Sequence, residues 1–374
     1  MKRAILSSPA MKPSTISLCL CLSLFFAVTA LAQEPAASFI EFETTDAGTG
    51  SFEGTQALTI NTSGVVAGLY YDSSDVSHGF VRATSGTITE FSVSGTGVNT
   101  FGGQINDAGT IAGNYTDSAG VHHGYVRSSS GSITPFSVSA AGTNSGQGTQ
   151  CCGLNKGGTA AGYFIDKKNV RHGYLRSPSG AIKTYNVSGA GTGANQGTEG
   201  VAINNAGTIA GPYLDSNGTF HGYIRAASGA ITAPIDVAGA GSGPGQGTAA
   251  LDINNAGIVV GNYFDSTGAT HGFVRSASGV ITAIDVPGAT FTAAIGINAS
   301  GTICGYYLDS ATLAIEGFTR TAAGVFTYPI DAPGSGTTEG AGTFAYQINT
   351  AGKIVGYFQT PSPALVYEAF IYTP

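Results

Sequence analysis

Apolar residues along this chain come in short runs broken by Gly, Asn, Asp and Ser, and no segment sustains a helical period. Residues 203–225, INNAGTIAGPYLDSNGTFHGYIR, display the unit. Around them the pattern predicts four short strands, 198–203, 208–214, 220–225 and 230–237. Asn-x-x-Gly makes the first turn, since Asn and Gly tolerate the left-handed backbone that tight hairpins need. Asp-Ser-x-Gly makes the second and Ser-Gly the third.

The unit recurs. Apolar-Asn-x-x-Gly appears at Asn61, Asn106, Asn155, Asn204, Asn254, Asn298 and Asn349, with spacings of 45, 49, 49, 50, 44 and 51 residues. A Thr stands six residues before every one of these Asn residues, from Thr55 to Thr343. After the Asn come an apolar-Gly step, an aromatic, then Asp in six copies and His-Gly-aromatic in five, where Glu316 and Glu368 replace the last two His residues. Arg follows in six copies. Four antiparallel strands in nearly fifty residues match a propeller blade. The seventh copy stops at its third strand, while residues 38–50, SFIEFETTDAGTG, resemble the fourth strand and exit loop of another copy, GVITAIDVPGAT. The expected fold is therefore all-β: a seven-bladed β-propeller of four-stranded antiparallel blades. The N-terminal strand, residues 38–46, should close the ring by pairing with the C-terminal blade, a permutation for which a stacked solenoid has no use.

These turns, the apolar-Gly step and the His-x-aromatic signature resemble the bacterial HAF-type extracellular repeat family, named for its His-Ala-Phe tripeptide. The resemblance covers nearly all of the mature chain. This sequence departs from it by carrying Gly at the central place, as in Gly79, Gly124, Gly173, Gly222 and Gly272. What the resemblance implies is an exported bacterial propeller-like protein, with no catalytic residues to carry over.

Asp215, His221 and Arg225 lie within eleven residues of one another and look like an active site. Equivalent groups recur in five or six copies without a consistent nucleophile, whereas catalytic sites are normally singular. The expectation is that Asp closes its turn while His and Arg pair with a neighbouring strand or blade. The five repeated His residues cannot share a metal. A third strand sits roughly 15 Å from the axis and its counterparts more than about 10 Å apart, while zinc ligands lie about 2 Å from one ion. Asp215 to Gly218 lacks the spaced carboxylates and distal Glu of a calcium loop. No catalytic residue, metal or cofactor is assigned. The repeated Thr is expected to bond across each blade boundary.

Function is better sought where copies differ, in the loops leading into each first strand. Glu53, Gln147, Gln196 and Gln246, two residues before the Thr, are placed near the channel mouth. Phe101, Gln150, Glu199 and Phe344, one residue after it, add aromatic, amide and acidic surface suited to a glycan or protein ligand at the rim.

Gly contributes 57 of 374 residues and charged residues only 10%, against a usual share of roughly 25%. Lys2, Arg3 and Lys12, then ISLCLCLSLFFAVTALA, read as a secretory signal peptide over residues 1–32, cleaved after Ala32, with Met11 an equally good start. Cleavage leaves 342 residues (374 less 32) and moves the net charge from −7 to −10, because three basic groups depart. Such a surface repels nucleic acid and anionic membrane. Only Cys151, Cys152 and Cys304 remain, and small buried residues without a structural disulfide are expected. The sequence thus predicts a secreted or periplasmic monomer with one domain, residues 33–374, acting as a non-catalytic binding or surface-interaction module without membrane insertion. The alternatives are a polysaccharide-acting enzyme using rim carboxylates such as Glu199 and Glu339, and a purely structural surface protein.

Overall fold

The computed structural model describes residues 37–94, 98–338, 340–361, 363 and 365–374. The predicted signal segment, residues 1–32, and Glu339 lie outside the described residues. Those described form an all-β, propeller-like fold of twenty-nine strands, from Ser38–Phe42 to Tyr367–Thr373, with no helix among them. Within each repeat consecutive strands pair antiparallel. In repeat 4 these are Gly197–Thr198 with Ala202–Ile203, then Ile209–Leu214, Phe220–Arg225 and Ile231–Ile235. The first strand, expected to be continuous, is split. Its partners in other repeats carry a bulge at the same place, between Ala57 and Thr59, Cys151 and Gly153, or Ala250 and Asp252. One extra residue there bends the strand and increases its twist.

The Asn turns work differently from the sequence expectation. Gly207 adopts the positive φ, +81°, and none of the seven Asn residues does. Asn204 acts through its side chain instead: Oδ1 accepts the N–H groups of Ala206 and Thr208 at 3.1 and 3.0 Å, while Nδ2 donates to the Asn254 carbonyl at 3.2 Å. The same donation runs from Asn61 to Asn106, then to Asn155, Asn204, Asn254, Asn298 and Asn349, and from Asn349 back to Asn61 at 3.1 Å. One short amide both closes its own turn and ties it to the next. Asp lacks the donor and Ser the reach.

The repeated Thr residues bond across repeat boundaries. Thr100, Thr149, Thr198, Thr248, Thr292 and Thr343 each accept, at about 3 Å, the backbone N–H just beyond the preceding fourth strand, as Val187 donates to Thr198. Thr55 accepts likewise from Thr44, just beyond the N-terminal strand. That strand, Ser38–Phe42, is shorter than the expected 38–46 and pairs antiparallel with Tyr367–Thr373, from Ser38 against Thr373 to Phe42 against Ala369. A parallel bridge joins Tyr367 to Gly54, as Arg171 joins Gly197 and Phe220 joins Gly247. A side chain at Gly54 would put its Cβ 2.1 Å from the Tyr367 carbonyl oxygen, so the contact requires glycine.

The core lies between neighbouring repeats. Ala202 and Ala210 pack with Ala250, Val259 and Phe273 of the next repeat, and Ala57, Val66 and Phe80 pack with Val355, Ala369 and Ile371. Phe80 and Phe273 are fully buried, each contributing roughly 2–3 kcal/mol of apolar burial.

Candidate functional site

The residues that resemble an active site are engaged in packing. Asp215 Oδ1 accepts the N–H groups of Asn217 and Thr219 at 2.8 and 2.9 Å, and Oδ2 faces His221 Nε2 at 3.6 Å. His221 Nδ1 meets Asp236 at 2.9 Å, and its ring stacks on Tyr213 with centroids 5.0 Å apart. His78, His123, His172 and His271 repeat this arrangement, each beside its own Asp and stacked on its own aromatic. Burial pushes the Asp215 carboxyl up, but the N–H bonds from Thr219 and Asn217 and the neighbouring His221 outweigh it and hold the group below its usual range. Arg225 leaves the cluster altogether. Its guanidinium lies over the Tyr185 ring of the preceding repeat, 5.0 Å from the centroid.

A cavity of about 330 Å³ is lined by residues from all seven repeats. Its wall includes Leu58, Cys152, Val201, Leu251, Ile295 and Tyr346, each three residues before its Asn. Leu154 and Ile203 also line a second cavity of about 200 Å³, where Ile60, Ile105, Ile253, Ile297 and Ile348 complete an aliphatic collar directly before the Asn turns. Asp252, half-buried, is the single carboxyl group among the described residues lining the larger cavity. Its Oδ2 accepts the Ile297 N–H of the next repeat at 3.0 Å and its Oδ1 the Ile253 N–H at 2.8 Å. Thr59 and Gln347 bridge to Ile105 and Ile60 in the same way, both at 3.1 Å. Burial raises the Asp252 pKa to about 6 against those two hydrogen bonds. Burial also pushes up the free thiol of Cys152, which keeps it protonated and unreactive.

Aromatic rings form a continuous arc that reaches the cavity at Tyr346 of its wall. Phe291 meets Tyr306 at 5.9 Å between centroids, Tyr306 meets Phe344 at 5.2 Å, and Phe344 stacks on Tyr357 at 4.9 Å. Tyr357 in turn contacts Tyr346 of the cavity wall at 5.8 Å and Tyr367 at 5.3 Å. A charged pair stands near another part of the wall. Glu199 pairs with Arg171 of the preceding repeat at 2.8 Å; burial raises the Glu199 pKa while Arg171 lowers it. Glu199 stands two residues before Val201 of the cavity wall.

The rim residues expected from sequence divide into two groups. Glu53 spends its carboxylate on its own loop, while Gln147, Gln196 and Gln246 tie their own loops to the Asp turn of the same repeat. Gln196 accepts the Gly193 N–H at 2.9 Å and donates to the Ser216 carbonyl at 2.9 Å, and Gln246 repeats the pattern with Gly243 and Ser266. Gln147 joins Asn144 to Asn169, and Glu53 accepts from Gly50. Phe101, Gln150, Glu199 and Phe344 stand half-buried at the inner end of their first strands. Sequence reasoning missed Arg171, Asp252, Tyr306, Tyr346, Tyr357 and Tyr367. The available signal for the tyrosines was Tyr306 and Tyr357, like Tyr163 in the third repeat, at the position where the other repeats carry Leu69, Asn114, Pro212 and Asn262.

No protein-family model matches the chain, and no curated protein does. Solved structures of propeller-like proteins do. A catalytically inactive virginiamycin B lyase from Staphylococcus aureus, with quinupristin, is similar over 90% of this chain and 99% of its own, with TM-score 0.57 and 16% identity. A streptogramin B lyase is similar over 90% of this chain and 97% of its own, with TM-score 0.55 and 14% identity. At these identities the likeness is one of fold.

Proposed function

We propose that the chain is an exported, seven-bladed β-propeller closed by its N-terminal strand, and that it serves as a non-catalytic binding module whose ligand sits at the cavity mouth. The circuit of seven Asn side chains, the pairing of Ser38–Phe42 with Tyr367–Thr373 and the Thr44 to Thr55 bond support the closed ring. The signal-like residues 1–32 and the resemblance to HAF-type repeats support export to the periplasm or medium.

One observation carries the binding reading. Groups identical in all or most blades are spent on turns and blade contacts, while side chains at the mouth differ between blades and include tyrosines and the Glu199–Arg171 pair. Against hydrolysis by paired carboxylates, which takes two carboxyl groups roughly 5–9.5 Å apart, stands the engagement of Glu199 by Arg171 at 2.8 Å. The test is calorimetric screening of the protein against saccharides, peptides and small organic molecules. Binding that Tyr346→Ala abolishes without lowering the unfolding temperature is expected. Absence of any ligand, or binding indifferent to substitutions at the mouth, overturns the proposal.

A further inference from the structure

The seven repeats provide an internal comparison: a side chain present in every copy serves the fold, and one confined to a few copies needs another cause. Eight residues after the Asn stand Leu69, Asn114, Pro212 and Asn262 in four repeats, but Tyr163, Tyr306 and Tyr357 in the other three, the last two in adjoining repeats. Three residues before it, Tyr346 alone is aromatic. These rings are unlike the core aromatics. Phe318, Phe358 and Phe370 are fully buried, whereas Tyr306, Tyr346 and Tyr357 keep accessible surface. Their phenol oxygens have no hydrogen-bond partner among the described residues, and none is shut off from solvent. A tyrosine at a packed surface ordinarily finds a partner for its hydroxyl. Three neighbouring ones without a partner among the described residues present hydroxyls at the edge of a packed aromatic cluster.

The polar groups near Val201 and Cys152 of the cavity wall fix the chemistry of what fits. Gln150 and the Glu199–Arg171 pair offer hydrogen bonds, and the pair is internally neutral at 2.8 Å. Asp252, deeper in the cavity, disfavours an anion. A purely apolar ligand would suit the tyrosine faces but strip water from the polar side without replacing its hydrogen bonds. A sugar ring has both surfaces, C–H faces that pack on aromatics and hydroxyls around its edge. At about 330 Å³, the cavity is at the lower end of the ~300–1,000 Å³ of small-molecule sites, which admits one or two rings and sends the rest of a chain out through the mouth.

We propose that the mouth binds the end of a neutral saccharide chain, its terminal rings packed on Tyr346 and Tyr357 and its hydroxyls bonded by those phenols and by Glu199 and Arg171. This rests on the binding-module reading and names its ligand class.

The test is calorimetric titration and saturation-transfer NMR with short neutral glucans, mannans and N-acetylglucosamine oligomers. Uronate oligomers and tyrosine-containing tripeptides serve as comparisons. At least one neutral oligomer is expected to bind, and uronates at least roughly tenfold more weakly. Tyr357→Ala should weaken binding by about tenfold or more; Tyr346→Phe, which removes only the hydroxyl and keeps the packing, by about three- to tenfold. Peptide binding at the mouth without saccharide binding overturns the saccharide and leaves the binding module standing. No binding by any class overturns both. Saccharide binding unchanged in Tyr357→Ala and Tyr346→Phe overturns the site.

Discussion

Arg82 holds its guanidinium carbon 4.8 Å from the centroid of the Phe42 ring. The same distance separates Arg127 from Phe91 and Arg176 from Phe136, where the ring belongs to the fourth strand of the preceding repeat. Phe42 therefore stands in the N-terminal strand as Phe91, Phe136 and Tyr185 stand in the fourth strands ahead of the second, third and fourth repeats. Phe42→Ala should cost about 2 kcal/mol or more, from lost packing plus the cation–π contact. Deletion of residues 38–46 should bare the edge of Tyr367–Thr373 and lead to aggregation. Denaturant unfolding and light scattering check both, and unchanged stability of the deletion variant would count against closure by this strand.

The Asn circuit makes a sharper demand. Asn204→Asp keeps the oxygen that accepts from Ala206 and Thr208 but loses the donor to Asn254 and buries a charge. A loss of about 1–3 kcal/mol is expected. Gly207→Ala is strained for a different reason, its φ of +81°, and should cost roughly 1 kcal/mol. Double-variant measurement gives additive losses if the two residues do separate jobs, and sub-additive ones if the Asn merely helps the same backbone turn.

How much of this was legible follows from what repetition can and cannot encode. Strand positions, turn positions and the pairing of the N-terminal strand with the last repeat were readable, because each depends on local spacing that seven copies repeat. The Asn Nδ2 bonds were not, since their partners lie 44 to 51 residues away in sequence, or 288 for Asn349 and Asn61. The candidate site was read one step too far out. Gln147, Gln196 and Gln246 sit at the rim in sequence, yet their side chains tie their own loops to the Asp turns of the same repeats. Tyr346 and Tyr357 look like ordinary strand aromatics until the fold sets Tyr346 in the cavity wall with Tyr357 packed on it.

His221 offers a direct check on the structural reading of the Asp-His-Arg cluster. His221→Gln keeps hydrogen-bonding atoms between Asp215 and Asp236 and removes the stack on Tyr213. With His and Asp both partly exposed, the expected loss is at most about 1 kcal/mol. Any ligand bound at the mouth should keep its affinity. Loss of a measurable activity with the fold intact would instead mark this one copy as a functional site.

Asp252 should make stability depend on pH in the direction opposite to the turn carboxylates. Its folded pKa of about 6 lies above the ordinary 3.8. The fold thus holds this proton more tightly than the unfolded chain does. The stabilising contribution is fully present below about pH 4 and is lost as pH rises through about 6, an upper bound of roughly 3 kcal/mol. Asp265 runs the other way. Its hydrogen bonds, first from the Thr267 hydroxyl, hold it at about 2, so its contribution is present above pH 3.8 and is lost as pH falls. Asp252→Asn carries a fixed cost, because an amide cannot accept from both Ile253 and Ile297 through two oxygens. That cost does not titrate. The unfolding temperature of Asp252→Asn relative to the unsubstituted protein should therefore climb between pH 4 and pH 7. A difference that stays flat across that interval would mean that the carboxyl group is hydrated by the cavity and ionises as it would in water.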